Sequence, residues 1–132
     1  VLTRLVAPHM LQAGGGSIIN ISSSIGRVVG RGFVAYGAAK AGLIHMTRLL
    51  GNELAPKIRV NCIAFGAMET DALKGFLSQD SIRKGLEAKT PLRRVGTMDD
   101  AGAAIVYLAS DASAYMTGSE IVVDGGHLVS SL

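Results

Sequence analysis

Residues 16–26 read Gly-Ser-Ile-Ile-Asn-Ile-Ser-Ser-Ser-Ile-Gly, and they decide the fold. The apolar, β-branched run from Ser17 to Ser22 predicts a strand that passes straight into a Ser-rich turn. Strands that end in a small polar loop ahead of a helix are where α/β sheets place ligands. A helix is predicted next, from about Val34 to Ala55, with Ala39, Leu43, Met46, Leu50 and Leu54 on one stripe. Pro56 cannot continue it.

The same alternation extends outward on both sides. Leu2, Leu5, Val6, Met10 and Leu11 have helical spacing over residues 1–13, and Gly14-Gly15-Gly16 stops that helix. After Pro56, Ile58 to Ala64 forms a short β-rich run. From Gly66 to Pro91 the pattern weakens into short helical pieces carrying Ala72, Leu73, Phe76, Leu77, Ile82 and Leu86. An apolar, irregular segment of this kind, about residues 67–91, is a lid candidate. Asp99 to Ala109 is a further helix with Thr97 as its N-cap and Ala103, Val106 and Tyr107 facing inward. Ile121-Val122-Val123 is the last strand, bounded by Gly118 and Gly125-Gly126. Strands alternating with helices imply an α/β fold of parallel βα units, three layers deep, with both faces of the sheet covered.

Composition narrows the possibilities. The 132 residues, 48% of them hydrophobic, suffice for one modest core and a single partial domain. No apolar run approaches the roughly 18 residues that span a bilayer, and no secretory signal opens the chain, so a cytoplasmic protein without a membrane partner is expected. Cys62 is the one cysteine and lies in an apolar strand, which predicts a buried inert thiol and excludes an intrachain disulfide. His9, His45 and His127 lack ligand spacing, so no metal is expected. The net charge of +3 is dispersed and aromatics are 5%, which argues against nucleic acid as a partner.

The chemistry concentrates in Tyr36 and Lys40, four residues apart on the second helix, and in Ser23, thirteen positions before Tyr36. Side chains at i and i+4 share a helix face, so an ammonium can sit beneath the phenol. A free phenol has a pKa near about 10, and a neighbouring cation favours its ionised form, which fits the pair for proton transfer. The Ser23 hydroxyl can donate to a carbonyl oxygen as negative charge develops there.

Five segments then fall in register along the chain: Asn20-Ile-Ser-Ser23 with Gly26, Tyr36-Gly-Ala-Ala-Lys40, Arg59-Val-Asn61, Gly66-x-x-x-Thr70, and Gly118-x-x-Ile-Val-Val-Asp-Gly-Gly126. Together they resemble the short-chain dehydrogenase/reductase family. The resemblance implies a doubly wound, Rossmann-type sheet and NAD or NADP as cofactor. It implies that Tyr36 exchanges a proton with a ketone or alcohol, that Lys40 assists the phenol and holds the nicotinamide ribose, and that Ser23 polarises the substrate oxygen. Ser22 would stand at the strand end with its backbone near the cofactor. Phe65, Gly66, Met68 and Thr70 would lie along the nicotinamide, and Met68 and Leu73 along the substrate. Phe65 departs from the pattern, since the family usually has Pro there.

Further expectations follow from the resemblance. The chain starts inside a helix without an N-cap residue or an initiator Met, and it looks like the carboxyl-terminal part of a longer protein. The family's Gly-rich phosphate turn and relay Asn are expected upstream of Val1, and the 132 residues alone are expected to be inactive. Gly14-Gly15-Gly16 does not replace that turn, because it follows a helix and precedes a strand. Met68, Leu73, Phe76, Leu77 and Leu86 would line an apolar pocket suited to a 3-oxoacyl or hydroxysteroid-like substrate. The helix ending at Ala13 and the helix bearing Tyr36 would pack against their copies in a homotetramer or homodimer, with the carboxyl tail at a second interface. A non-catalytic member that binds dinucleotide or a partner is the alternative.

Overall fold

A computed structural model describes residues 2–130; Val1 of the first predicted helix and the last residues of the predicted interface tail lie outside them. The elements run α1 (Leu2–Gln12), β1 (Gly16–Ser23), α2 (Val34–Glu53), β2 (Ile58–Phe65), α3 (Asp71–Leu77), α4 (Asp80–Lys89), α5 (Met98–Ala109) and β3 (Glu120–Val123). The strands form one parallel sheet in the order β1-β2-β3. Helices lie on both faces, so the mixed α/β architecture is the one the alternation predicts, and the parallel sheet agrees with the doubly wound, Rossmann-type fold that the resemblance implies.

β2 is the centre of the core, with Ile58, Val60, Cys62, Ile63 and Ala64 fully buried. Its central place explains a near-continuous apolar run, since a parallel strand is covered on both sides. Ala7 of α1 joins Ile58 and Val60 in one cluster, with Met10, Ile18, Leu50 and Leu54 packed against it. Each fully buried Ile or Leu contributes roughly 1.5–3 kcal/mol relative to exposure.

The glycines after α1 act as its stop. Gly14 and Gly15 have φ of 97° and 134°, and the Gly15 N–H donates to the Met10 carbonyl at 2.9 Å. Only glycine enters that backbone region freely.

Two helix faces differ from expectation. On α2 the buried residues are Ile44, Thr47 and Gly51, whereas Ala39 and Met46 face outward and Leu43 and Leu50 are half-buried. The helix is turned so that Gly51 can abut Gly118, whose Cα would lie 2.8 Å from any Cβ added at position 51. On α5, Ala101 and Leu108 point inward, while Ala103, Val106 and Tyr107 are exposed. That helix is apolar on both sides, so periodicity could not choose between them. Thr97 does cap α5: its hydroxyl accepts from the Asp100 N–H while Asp100 accepts from the Thr97 N–H, a reciprocal capping box.

Arg59 and Asn61 belong to the scaffold. The Arg59 guanidinium donates to Ser113 Oγ and to the Leu108 and Ser110 carbonyls, and Asn61 ties the Met116 carbonyl and the Ser119 N–H. Together they fix the turn that delivers β3. Among the described residues no helix is long and apolar enough to cross a membrane.

Candidate active site

The register sets Ser23, Phe65 and Val123 side by side at the carboxyl edge of the sheet. Ser23 ends β1 and caps a single 3-10 turn, Ser24–Gly26, by accepting from the Ile25 N–H at 3.3 Å. That turn lies directly on α2. A Cβ at Gly26 would meet the Ala41 nitrogen at 2.9 Å and the Lys40 carbonyl carbon at 3.0 Å, and one at Gly37 would meet the Ile25 carbonyl at 3.1 Å. Both glycines permit close approach of backbone to backbone. Gly37 was not singled out from sequence, although a glycine inside a helix costs about 1 kcal/mol and so signals a packing demand.

The docking carries two polar ties. The buried Ser22 hydroxyl donates to the Lys40 carbonyl at 3.0 Å, and the Lys40 ammonium donates to the Ile21 carbonyl at 2.8 Å. The Ser22 hydroxyl is thus engaged within the seam. Lys40 Nζ also stands 5.6 Å from the Tyr36 ring centroid, within cation–π range. Tyr36 is 47% exposed, so the ring is not buried in the core. Phe33 leans on it, with centroids 6.1 Å apart and planes tilted by 60°.

The segment after β2 is held firmly. Gly66 donates to the Val123 carbonyl at 3.0 Å, and a Cβ there would lie 2.8 Å from Asp124 Cα. Met68 bridges to Gly96 and is buried; Thr70 opens α3 without a side-chain cap. Met68 lines a cavity of about 310 Å³ with Thr90, Arg94, Val122 and Gly126. Thr70 lines another of about 370 Å³ with Glu69, Lys74, Leu77 and Arg83.

The apolar residues of this segment do not line a single cavity. Met68 and Leu77 line different cavities, Phe76 is 60% exposed, and Leu73 is half-buried in α3. α3 and α4 are short, and Arg83, paired with Glu69 and Glu87, lines the second cavity with Asp71 and Lys74. Among the described residues no cluster of His, Cys, Asp or Glu could hold a metal ion.

A further tie was invisible from sequence. Arg27, just past the serine turn, binds the Glu120 carboxylate on β3 through Nε and Nη2. Glu120 is the more buried partner, with its side chain 6% exposed. The hydrogen bond that Arg27 donates to Glu120 holds the guanidinium more firmly charged than usual.

The donor set fits the nicotinamide end of a dinucleotide. One Lys40 proton is committed to Ile21, which leaves two for ribose hydroxyls, beside the exposed Tyr36 phenol. It does not fit the pyrophosphate end, because Gly14–Gly16 close a helix and lead into a strand.

The family model described as enoyl-(acyl carrier protein) reductase matches residues 1–127. The chain belongs to the short-chain dehydrogenase/reductase family, which uses NAD(P). An uncharacterized oxidoreductase of Mycobacterium tuberculosis is 52% identical over 126 residues, 95% of this chain and 48% of that protein. A 3-oxoacyl-[acyl-carrier-protein] reductase of Chlamydia pneumoniae is 42% identical over 92% of this chain and 48% of its own length. The crystal structure of a gluconate 5-dehydrogenase from Burkholderia cenocepacia in complex with NADP and tartrate superposes with a TM-score of 0.92 at 30% identity, covering 98% of this chain and 51% of that one. The chain thus spans about half the length of the curated relatives it matches.

Proposed function

We propose that the full-length protein is an NAD(P)-dependent oxidoreductase that interconverts a ketone and a secondary alcohol, with Tyr36 as the proton donor or acceptor. The observation that carries this reading is the Lys40 ammonium 5.6 Å from the ring centroid of a half-exposed Tyr36. The bound nicotinamide supplies or accepts the hydride. In the reducing direction, Ser23 donates a hydrogen bond to the substrate carbonyl oxygen and orients it towards the phenol. Tyr36 gives that oxygen its proton as the carbonyl carbon is reduced, and the reverse transfer serves alcohol oxidation. The Lys40 cation stabilises the phenolate that remains and binds the ribose with its free donors. Ser22, Phe65, Gly66, Met68 and Thr70 border the nicotinamide, and Met68 and Leu73 the substrate.

The substrate class we favour is apolar, a 3-oxoacyl chain or a hydroxysteroid-like ring. The likeness to the chlamydial 3-oxoacyl reductase supports the first. Assembly as a homodimer or homotetramer through α1 and α2 is supported by Leu2, Leu5, Met46 and Leu49, which stand exposed on those helices. The test of the function is the absorbance of the reduced nicotinamide in full-length protein given NADH or NADPH and a panel of 3-oxoacyl thioesters, alicyclic ketones and sugars. Oxidation driven by an apolar ketone is expected. A panel that leaves the reduced cofactor unconsumed with both nucleotides contradicts the reading.

A further inference from the structure

We propose that Arg27 is a positioning residue for this reaction: by gripping the buried Glu120 carboxylate it fastens the turn that carries Ser23 to the third strand. The inference rests on the reading of Ser23 and Tyr36 given above.

Arg27 sits where the chain leaves ordered packing. Its N–H, like that of Val28, donates to the Ser24 carbonyl, which closes the 3-10 turn at 2.9 and 3.0 Å. Beyond it Val29, Arg31, Gly32 and Phe33 are exposed. The Arg27 side chain therefore anchors the serine turn at the last point before an exposed loop. Its partner is 93 residues away in sequence, and the Nε contacts to both carboxylate oxygens measure 2.9 Å.

The anchor point is well chosen. Glu120 pairs with Cys62, in register with Asn20 on β1, so this row across the sheet carries a polar side chain at each end. Asn20 donates to Thr47 Oγ1 of α2 at 2.9 Å, at the other end of that row. The strand that begins at Glu120 ends at Val123, whose carbonyl holds the Gly66 N–H. One short strand thus links the serine turn to the segment Gly66–Thr70. A guanidinium clamped on two oxygens restricts rotation as well as distance, which a single bond does not. Hydroxyl orientation at Ser23 is what such a clamp would protect.

The test uses full-length protein and two variants. The double variant Arg27→Met with Glu120→Met replaces the pair by apolar groups and leaves no unpaired buried charge, an exchange that proteins commonly tolerate. Arg27→Lys keeps the charge and loses the fork. Both are expected to lower kcat by about 10-fold or more, with KM for the nicotinamide cofactor unchanged, because misplacement of reacting groups acts on the chemical step. Leu108→Val, which loosens the core away from the turn, should lower the melting temperature and leave kcat in place. A kcat equal to the parent's in either charge variant overturns the inference, and so does an equal loss in Leu108→Val. Tyr36→Phe run in parallel separates the two levels: turnover retained there defeats the proposed function, whereas loss there with full activity in the charge variants defeats the positioning role alone.

Discussion

The Ser22 hydroxyl donates to the backbone carbonyl of Lys40 at 3.0 Å, inside the seam between β1 and α2. With the return bond from the Lys40 ammonium to Ile21, it locks helix to strand at the level of the proposed acid-base residue. Ser22→Ala should cost about 1 kcal/mol of stability, the worth of an ordinary hydrogen bond. Chemical denaturation measures that cost. Turnover should fall with it, while Ser22→Thr, which keeps the hydroxyl, should lose less.

Gly26→Ala should be worse. The new methyl would meet the Ala41 nitrogen at 2.9 Å, so α2 must shift away from the serine turn. Forced repacking of that kind costs about 1–3 kcal/mol. A drop in melting temperature together with a disproportionate loss of kcat is the expected outcome.

Cys62 should be silent in the folded protein. Burial pushes its thiol pKa up, and the nearby Glu120 charge pushes it further, so the reactive thiolate is scarce at neutral pH. Alkylation is expected to proceed only on unfolding. Rapid labelling of native protein would show that the centre of β2 opens.

At the start of α5, the Arg94 guanidinium and then the Thr97 N–H and hydroxyl hold the Asp100 carboxyl well below the usual carboxylate range. The depressed value makes ionised Asp100 a stabilising group. Its contribution is complete above about pH 4, where an unfolded Asp is also ionised, and fades as pH falls towards the folded value. The difference in Tm between parent and Asp100→Asn should therefore be largest near neutrality and shrink in acid. A constant difference would mean that the ionised carboxylate is not what stabilises the cap.

Much of the fold was legible because local rules and tertiary context agreed. The Ser17–Ser22 run, the stop at Gly14–Gly16 and the Thr97 cap each have one local physical reason, and each appears where expected. The faces of α2 and α5 were not legible, since apolar residues stand on both sides of each and packing alone selects between them. At the site, Tyr36 and Lys40 were readable as an i, i+4 pair, and the structure brings the ammonium to the ring. The Arg27–Glu120 tie was not, because nothing local connects residues 93 positions apart. That Met68 and Leu77 line different cavities was not legible for a related reason: apolar spacing says that side chains are covered, and it does not say that they cover the same space.

The most direct measurement on the central claim is Tyr36→Phe in full-length protein, with turnover followed by nicotinamide absorbance and cofactor affinity by fluorescence titration. The account predicts that turnover falls by about 10²-fold or more, the scale of a lost general acid-base group, while cofactor binding is nearly unchanged. Turnover within a few-fold of the parent's would contradict it.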